Sequence, residues 1–386
     1  MGPRIFLIVA FCLFATLIGK QSTAQQREGG GRGRGAAAEP QTIGGLPGGD
    51  PCTVPGAEAP GRGGGGGAAA TRPQTFPRDV TVTEIPGVIA AGAKWVEVWR
   101  GWDNADGIIA APDGGVLFAQ EQTSTVRKLD SRGMDSAFVK DTHGSGAVAM
   151  DYQGRLLGVQ RTCTDPGLAH NPANPPCTEP TKLAILWPEK DRKVLADNIN
   201  GKSLGRVGDL VVSKNGTVYF NGSGTFYVKP GGKATCVDTV NINSNGIILS
   251  PDEKTLYITT GGRITAFDVK PDGTPTNRRN FATFEGGGGG DGMTIDSEGR
   301  LYVTAINNGG IQVISPQGRV LGTIPTPRNT ISVAFAGPDK KSLYAVGGGM
   351  LYFDELEYEL APGFRNNGKT IYKIQMIAQG YKGRAH

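Results

Sequence analysis

The chain has 386 residues, with 40 Lys and Arg against 35 Asp and Glu and a formal net charge of +5; eight basic and five acidic residues fall in residues 1–80, so the remaining 306 positions carry only +2. No basic stripe interleaved with aromatics runs through that remainder, which excludes a nucleic-acid footprint in the folded part. The three histidines, His143, His170 and His386, and the lack of any Cys-x-x-Cys spacing argue against a histidine-rich or cysteine-ligated zinc site.

In chain order, residues 1–24 come first: Arg4, an apolar run from Ile5 to Ile18, then Ser22-Thr23-Ala24. This is the pattern of an export signal cleaved near Ala24, with a retained membrane anchor as the alternative. The run is short for a membrane span, so no stable span is expected once the signal is cleaved. Residues 25–80 are mostly Gly, Ala, Pro and Arg and hold too few large apolar side chains to offset the entropy of ordering. They read as a disordered leader before a folded domain at 81–386. Export implies a periplasmic or secreted protein in an oxidising compartment, where Cys52, Cys163, Cys177 and Cys236 would remain after cleavage. Cys163 with Cys177 closes the shortest loop and is the expected pair. Cys52 with Cys236 would then tie the leader to the domain, and free thiols are the alternative.

Six stretches then repeat one phrase, a small or polar pair, an apolar run, a turn and a second apolar run. They begin at Asp106-Gly107, Gly146-Ala147, Gly208-Asp209, Asn245-Gly246, Asp291-Gly292 and Ser332-Val333. A period of roughly 40 residues with two strands and a tight turn per copy is the signature of radially repeated sheets. The fold class is therefore all-β, a six-bladed β-propeller, in which each hairpin buries its faces against its neighbours and ring closure removes exposed edges. Between the second and third copies roughly 20 extra residues, including Cys163, Cys177 and the Pro-rich run from Asn171 to Pro176, read as a stapled surface loop.

Two short motifs point elsewhere. Gly201-Lys202-Ser203-Leu204-Gly205 fits a nucleophile elbow, but a strand follows it where a helix is required. Gly363 to Thr370 fits a phosphate-binding loop, yet the sequence given stops at His386, short of the parallel sheet such a loop serves. Two sequons, at Asn215 and Asn221, sit near predicted strand ends and carry no assigned function.

The fourth and fifth copies, Asn245-Gly246-Ile247-Ile248-Leu249-Ser250-Pro251-Asp252 and Asp291-Gly292-Met293-Thr294-Ile295-Asp296, resemble signature blades of the gluconolactonase and regucalcin (senescence marker protein) family of six-bladed propellers. Ser332-Val333-Ala334-Phe335-Ala336-Gly337-Pro338-Asp339 resembles that family's last full blade. The resemblance spans roughly residues 95–350 and is stronger in the later copies. It implies an active site at the channel mouth with one divalent cation held by a first-blade Glu, a third-blade Asn, the Asn of Asn-Gly and the Asp of Asp-Gly. Asn245 and Asp291 fall on matching positions. Asp106 stands at the Glu position, its reach shorter by one carbon–carbon bond of about 1.5 Å. Gly208 stands at the third-blade Asn, where the ligand is missing. Arg206 matches a family arginine that contacts substrate.

Oxygen donors of this kind suit a hard cation, Ca²⁺ first, with Mg²⁺, Mn²⁺ or Zn²⁺ also able to serve, and such an ion polarises a lactone carbonyl. Asp291 would position or deprotonate the attacking water. His143, on a loop before the second copy, can reach the mouth as a substrate or acid/base contact, with an exposed loop histidine as the alternative. The run Gly286 to Gly290 reads equally as a backbone approach to ligand and as a plain surface loop. The reading is an exported, metal-dependent hydrolase of a sugar lactone or related cyclic ester, with a small-molecule lactone as substrate. A phosphotriesterase would use a similar site. The alternative is a propeller that kept the scaffold, lost catalysis and binds a small molecule or partner at the mouth.

Overall fold

Six times along the chain, a strand that enters from one end of the molecule is turned back by the same four-residue turn. In each the fourth residue donates its N–H to the carbonyl of the first, from Gly114 to Ala111 through Lys340 to Gly337. That fourth residue has positive φ in every copy, and four of the six are glycine. The other two, Glu253 (φ 59°) and Lys340 (φ 53°), bear side chains used below. The computed structural model describes residues 42–43, 46–47, 51–52, 77–101, 105–121, 123–161, 179–238, 244–286, 289–305, 309–348 and 369–384. The expected signal at 1–24, the Cys163 and Cys177 loop, His170, His386 and most of the Gly363 to Thr370 motif lie outside these residues.

The fold is a six-bladed β-propeller. Blade 1 is Ile108–Ala110, Val116–Gln120, Thr125–Leu129 and Asp135–Val139. Blade 2 is Ser145–Met150, Leu156–Gln160, Lys182–Trp187 and Lys193–Ala196. Blade 3 is Leu210–Val212, Val218–Asn221, Thr225–Val228 and Thr235–Cys236. Blade 4 is Ile247–Leu249, Thr255–Thr260, Arg263–Val269 and Pro275–Thr283. Blade 5 is Gly290–Ile295, Leu301–Ala305, Gly310–Ile314 and Val320–Pro325. Blade 6 takes Thr330–Ala336, Ser342–Gly348 and Lys369–Gln375 from the end of the chain and its outer strand, Val96–Gly101, from the beginning. That last pairing, Lys369 opposite Gly101 and Lys373 opposite Val96, closes the ring.

Six apolar clusters of buried residues fill the six gaps between neighbouring blades. Phe118 and Ile108 pack with Ala334, Tyr344 and Ile371 between blades 1 and 6, and Leu157 and Leu183 with Leu210 and Phe220 between blades 2 and 3. Tyr302 of blade 5 meets Phe335 of blade 6 edge-to-face at 4.8 Å, a geometry that adds about 0.5–1.5 kcal/mol to area burial. The innermost strands touch in a closed cycle around the axis.

Where these strands begin, at the mouth, they converge most closely. A Cβ on Gly246 would overlap the carbonyl oxygen of Asp291, and one on Gly107 would lie 2.7 Å from Ala147 Cα. The glycines of the repeated pairs are thus required by the approach of the next backbone. At the lower end the C-terminal segment crosses the channel: Tyr381 donates its N–H to Ile295 O at 3.1 Å, and buried Arg384 donates Nη1–H to Leu249 O at 2.8 Å. Glu253 accepts from Arg384, and Lys340 donates to Tyr381 O at 3.2 Å. The two turns without glycine therefore hold this segment.

Within the leader, Thr42–Ile43 pairs with Leu46–Pro47, and Cys52 is bonded to Cys236 on the outer strand of blade 3 with Cα atoms 5.7 Å apart. Residues 77–95 run along blades 5 and 6. Val82, Ile85, Val88 and Ile89 are buried there, and Trp95 donates its indole N–H to Pro325 O at 2.8 Å. Gly201 to Gly205 belongs to a two-stranded hairpin, Asn198–Ile199 with Lys202–Ser203, that leads into blade 3, so Ser203 is buried and is no nucleophile elbow.

Two outcomes are expected. Gly246→Ala forces the Asp291 backbone aside and lowers stability by about 1–3 kcal/mol in denaturant titrations, the usual effect of overpacking. The Cys52–Cys236 bond spans 184 residues, so paired substitution by serine lowers stability by up to about 5 kcal/mol relative to the oxidised protein. Peptide mapping checks the bond itself.

Candidate functional site

At the mouth the first strands of blades 1, 3 and 4 are preceded by residues that continue the pairing and carry polar groups, while Asp291 lies within the first strand of blade 5 and Asn221 ends the second strand of blade 3. In blade 1 Asp106 N–H donates to Ala119 O at 3.0 Å. In blade 3 Gly208 N–H donates to Asn221 O at 3.0 Å and Asn221 N–H to Asp209 O at 3.1 Å. In blade 4 Asn245 N–H donates to Thr259 O at 3.2 Å, while Thr259 Oγ1 accepts from Gly246 N–H at 2.7 Å. Rigid ladder ends thus present Asp106, Asp209, Asn221, Asn245 and Asp291 toward one axis.

A cavity of about 400 Å³ opens there, lined by Arg206, Gly208, Asn221, Asn245, Thr259 and Gly290 among others. A larger cleft of about 650 Å³ lies at the lower end, lined by turn residues such as Asp113 and Asp151 and by Lys382 and Arg384. No carboxylate lines the smaller cavity, but Asp209 and Asp291 directly follow its lining residues Gly208 and Gly290, and with Asp106 they raise one another's proton affinity, so the candidate site is taken at that end.

Burial pushes Asp291 well above the ordinary carboxylate range, and the neighbouring negative charges of Asp106 and Asp209 push it further. Asp209 is raised to about 7, first by burial, although N–H groups of Ile247 (3.1 Å) and Leu210 (2.8 Å) oppose the shift. Two cations answer this charge. Arg161, at the end of a blade 2 strand and 1% exposed, places Nη2 2.5 Å from Asp106 Oδ2, is also ion-paired with buried Glu121, and donates Nη1–H to Val207 O at 3.1 Å. Burial lowers its pKa to about 10, while Asp106 acts to raise it. Lys369, at the start of the third strand of blade 6, is lowered by burial and raised by Asp106 and Asp291.

Of the residues expected from sequence, Asp106, Asn245, Asp291 and Arg206 come together at the mouth. Arg206 is half exposed at the rim, its Nη2 3.8 Å from Glu121 Oε2. The half-exposed His143 ring faces Glu179 with Nδ1 3.6 Å from Oε2, and its carbonyl accepts from Arg161 N–H at 3.1 Å. Sequence reasoning passed over Asp209, Asn221, Glu121, Arg161 and Lys369. Asp209 was legible as the acidic residue following Arg206-Val207-Gly208. The others sit at strand ends with no local signature.

Among the described residues no three His, Cys, Asp or Glu side chains converge closely enough to hold a metal ion by themselves. Asp106, Asp209 and Asp291 nevertheless repel one another electrostatically, and with the side-chain oxygen of Asn245 they offer donors of the hard type. The residues fit a divalent cation if amide oxygens complete the shell.

The family profile described as the SMP-30/Gluconolactonase/LRE-like region matches residues 146–347. The chain belongs to this family. The match includes Arg206, Gly208, Asn245 and Asp291 and leaves Asp106 and Lys369 outside it. Gluconolactonase of Zymomonas mobilis is 32% identical over 185 residues, which is 40% of this chain and 51% of that protein. Regucalcin of Danio rerio is 36% identical over 80 residues, 20% of this chain and 27% of that protein. The chain thus spans about half or less of the length of these relatives. In structure, it is similar to a gluconolactonase of Xanthomonas campestris (TM-score 0.59, 19% identity, 78% of this chain and 97% of that one). A calcium-binding regucalcin of Agrobacterium tumefaciens gives TM-score 0.53 at 18% identity, covering 73% of this chain and 95% of that one. These structural likenesses establish the shared family fold. Among the described residues no helix is long and apolar enough to cross a membrane.

The raised carboxylates have a measurable sign. Their folded pKa lies above the unfolded value near 3.8, so protonation favours the folded state. The stability this confers is complete below about 3.8 and is lost as pH rises through about 7 for Asp209. In chelator, Tm is expected to fall by about 2–4 °C between pH 6 and pH 8, the change that about 1 kcal/mol produces in a sizeable domain. Asp209→Asn is expected to flatten that slope in calorimetric scans.

Proposed function

We propose that this protein is a cation-dependent hydrolase of a sugar lactone or a related cyclic ester. The observation that carries the proposal is the placement of Asp291, recessed at the mouth beside Asn245 and Gly246, with its proton affinity raised by burial and by Asp106 and Asp209. A carboxylate whose proton affinity is raised is suited to take a proton from water and return it.

In this reading Asp106, Asn245 and Asp291 would hold the divalent cation, Ca²⁺ by preference. When bound, the ion supplies Lewis-acid polarisation of the ester carbonyl. Asp291 orients a water and accepts its proton as the water oxygen bonds to the carbonyl carbon. The ring carbon–oxygen bond then breaks, and the leaving alkoxide takes up that proton to give the open hydroxy acid. Arg206 at the rim, a fixed cation with a planar fork of donors, positions hydroxyl or carboxylate oxygens of the substrate. Arg161 holds Asp106 and Glu121 in place from beneath. Export is part of the same proposal, supported by the apolar run at Ile5 to Ile18 and by the Cys52–Cys236 bond.

A second reading, a binding propeller without catalysis, draws on Gly208 and on the Arg161 guanidinium, which occupies one oxygen of Asp106 at 2.5 Å. Hydrolysis of glucono-δ-lactone by the purified chain separates the two. Turnover is expected with Ca²⁺, Mg²⁺, Mn²⁺ or Zn²⁺ added to chelator-treated protein, and Asp291→Ala is expected to lower kcat by about 10²–10⁴, the span of general-base contributions. Turnover indifferent to chelator and to Asp291→Ala would overturn the proposed mechanism. No turnover and no cation binding by calorimetry would leave the binding propeller.

A further inference from the structure

Gly208 removes a side chain from the mouth, and another strand fills the space. A Cβ on Gly208 would overlap the Oδ1 atom of Asn221 and lie 3.7 Å from Oδ1 of Asn245. The carbonyl oxygen of the Asn221 side chain therefore stands where a side chain at 208 would stand, toward Asn245. Two bonds fix that amide. Asp209 N–H donates to Oδ1 at 3.0 Å, and Nδ2 donates to the main-chain oxygen of Asn245. The opposite amide orientation would set Nδ2 against the Asp209 N–H and Oδ1 against the Asn245 carbonyl, donor on donor and acceptor on acceptor, so the surroundings decide it. An amide oxygen has two lone pairs, and the Asp209 bond uses one.

The side chain is also in the right setting for a ligand. Asn221 is 1% exposed yet borders the mouth cavity with Arg206, Gly208 and Asn245. It closes the second strand of blade 3, so its backbone is held by the ladder while its amide is held by blades 3 and 4 together. A hard cation takes six to eight oxygens, and the carboxylates here do not suffice alone.

We infer that Asn221 is an oxygen ligand of the mouth site, delivered from a neighbouring strand in place of the residue at 208, and that with Asp106, Asn245 and Asp291 it completes the donor set for a hard divalent cation. The inference rests on the function proposed above and specifies one of its ligands. It also turns Gly208 from a defect into a requirement, because residue 208 and Asn221 compete for one volume and only one of them can carry the amide.

Calorimetric titration of Ca²⁺ into the chelator-treated chain, with lactone turnover measured in parallel, tests it. Asn221→Ala is expected to weaken Ca²⁺ binding by at least about tenfold to hundredfold, the span already seen when outer-shell partners of a metal are lost. Asn221→Asp keeps an oxygen at the same place but loses the donor to Asn245, so it is expected to bind Ca²⁺ at least as tightly as wild type. A purely structural asparagine would make the Asp variant as weak as the Ala variant, and that result overturns the inference. So does Asn221→Ala binding within twofold of wild type while turnover persists; in both cases the proposed hydrolase stands. Where Asn221→Ala does not fold, the exchange Gly208→Asn with Asn221→Gly decides: the amide returns to 208 in the vacated space, Ca²⁺ affinity within about threefold of wild type supports the ligand role, and loss of binding overturns it. Wild-type protein that neither binds Ca²⁺ nor hydrolyses lactone removes the proposed function and this inference with it.

Discussion

Six strands that meet around one axis must come closest at the end where they start, and this protein uses that crowding. Gly107, Gly208, Gly246 and Gly292 stand where a Cβ would run into a backbone or side-chain atom of the adjoining strands. Removing side chains at these positions lets the residues beside them, Asp106, Asp209, Asn245 and Asp291, approach one another, and Asn245 also lines a cavity of about 400 Å³. The glycines are a packing necessity of the ring, and the polar cluster is its by-product. Carboxylates gathered this way repel one another in a poorly solvated place, which is the physical source of the high proton affinity of Asp291 and Asp209.

The same crowding explains the unusual chemistry of blade 2. Gly146 leaves the room in which the Arg161 guanidinium lies, and Arg161 reaches carboxylates of blade 1 and a carbonyl next to blade 3 from a fully buried position. A buried arginine paired with a buried glutamate is weak evidence for stability, since desolvation offsets attraction. Its value here is geometric. It sets the direction of Asp106, whose short side chain has little freedom to find a partner unaided.

Much of the fold was legible because the repeat is carried by local chemistry. Turn residues such as Asn215-Gly216 and Glu298-Gly299, flanked by apolar runs, announce strand pairs without any long-range information. The closing strand Val96–Gly101 was not legible: its partner, Lys369–Gln375, lies far along the chain, Lys369 opposite Gly101 and Lys373 opposite Val96, and nothing in either segment names the other. The site divided along the same line. Asn245 and Asp291 were readable from the strings around them, which the family shares. Asn221 was visible only as a sequon, and Arg161 and Lys369 not at all, because their significance comes from what other blades bring to them. His143 shows the converse: closeness in sequence to the mouth predicted a role, and the side chain faces Glu179 instead. For the cysteines, Cys52 to Cys236, expected as the companion of a Cys163–Cys177 bond, is present on the outer strand of blade 3, while Cys163 and Cys177 lie outside the described residues.

The way the ring is shut also orders events in time. Val96–Gly101 leaves the ribosome before any of the six inner strands, yet its ladder partner arrives only with the last blade. Until then the strand has an unpaired edge, and the cleft between blades 6 and 1 has no second wall. Loop-closure entropy must be overcome across nearly the whole chain before that contact is rewarded, the condition under which β-topologies fold slowly and expose aggregation-prone edges. The ring therefore closes only through a contact between the two ends of the folded domain.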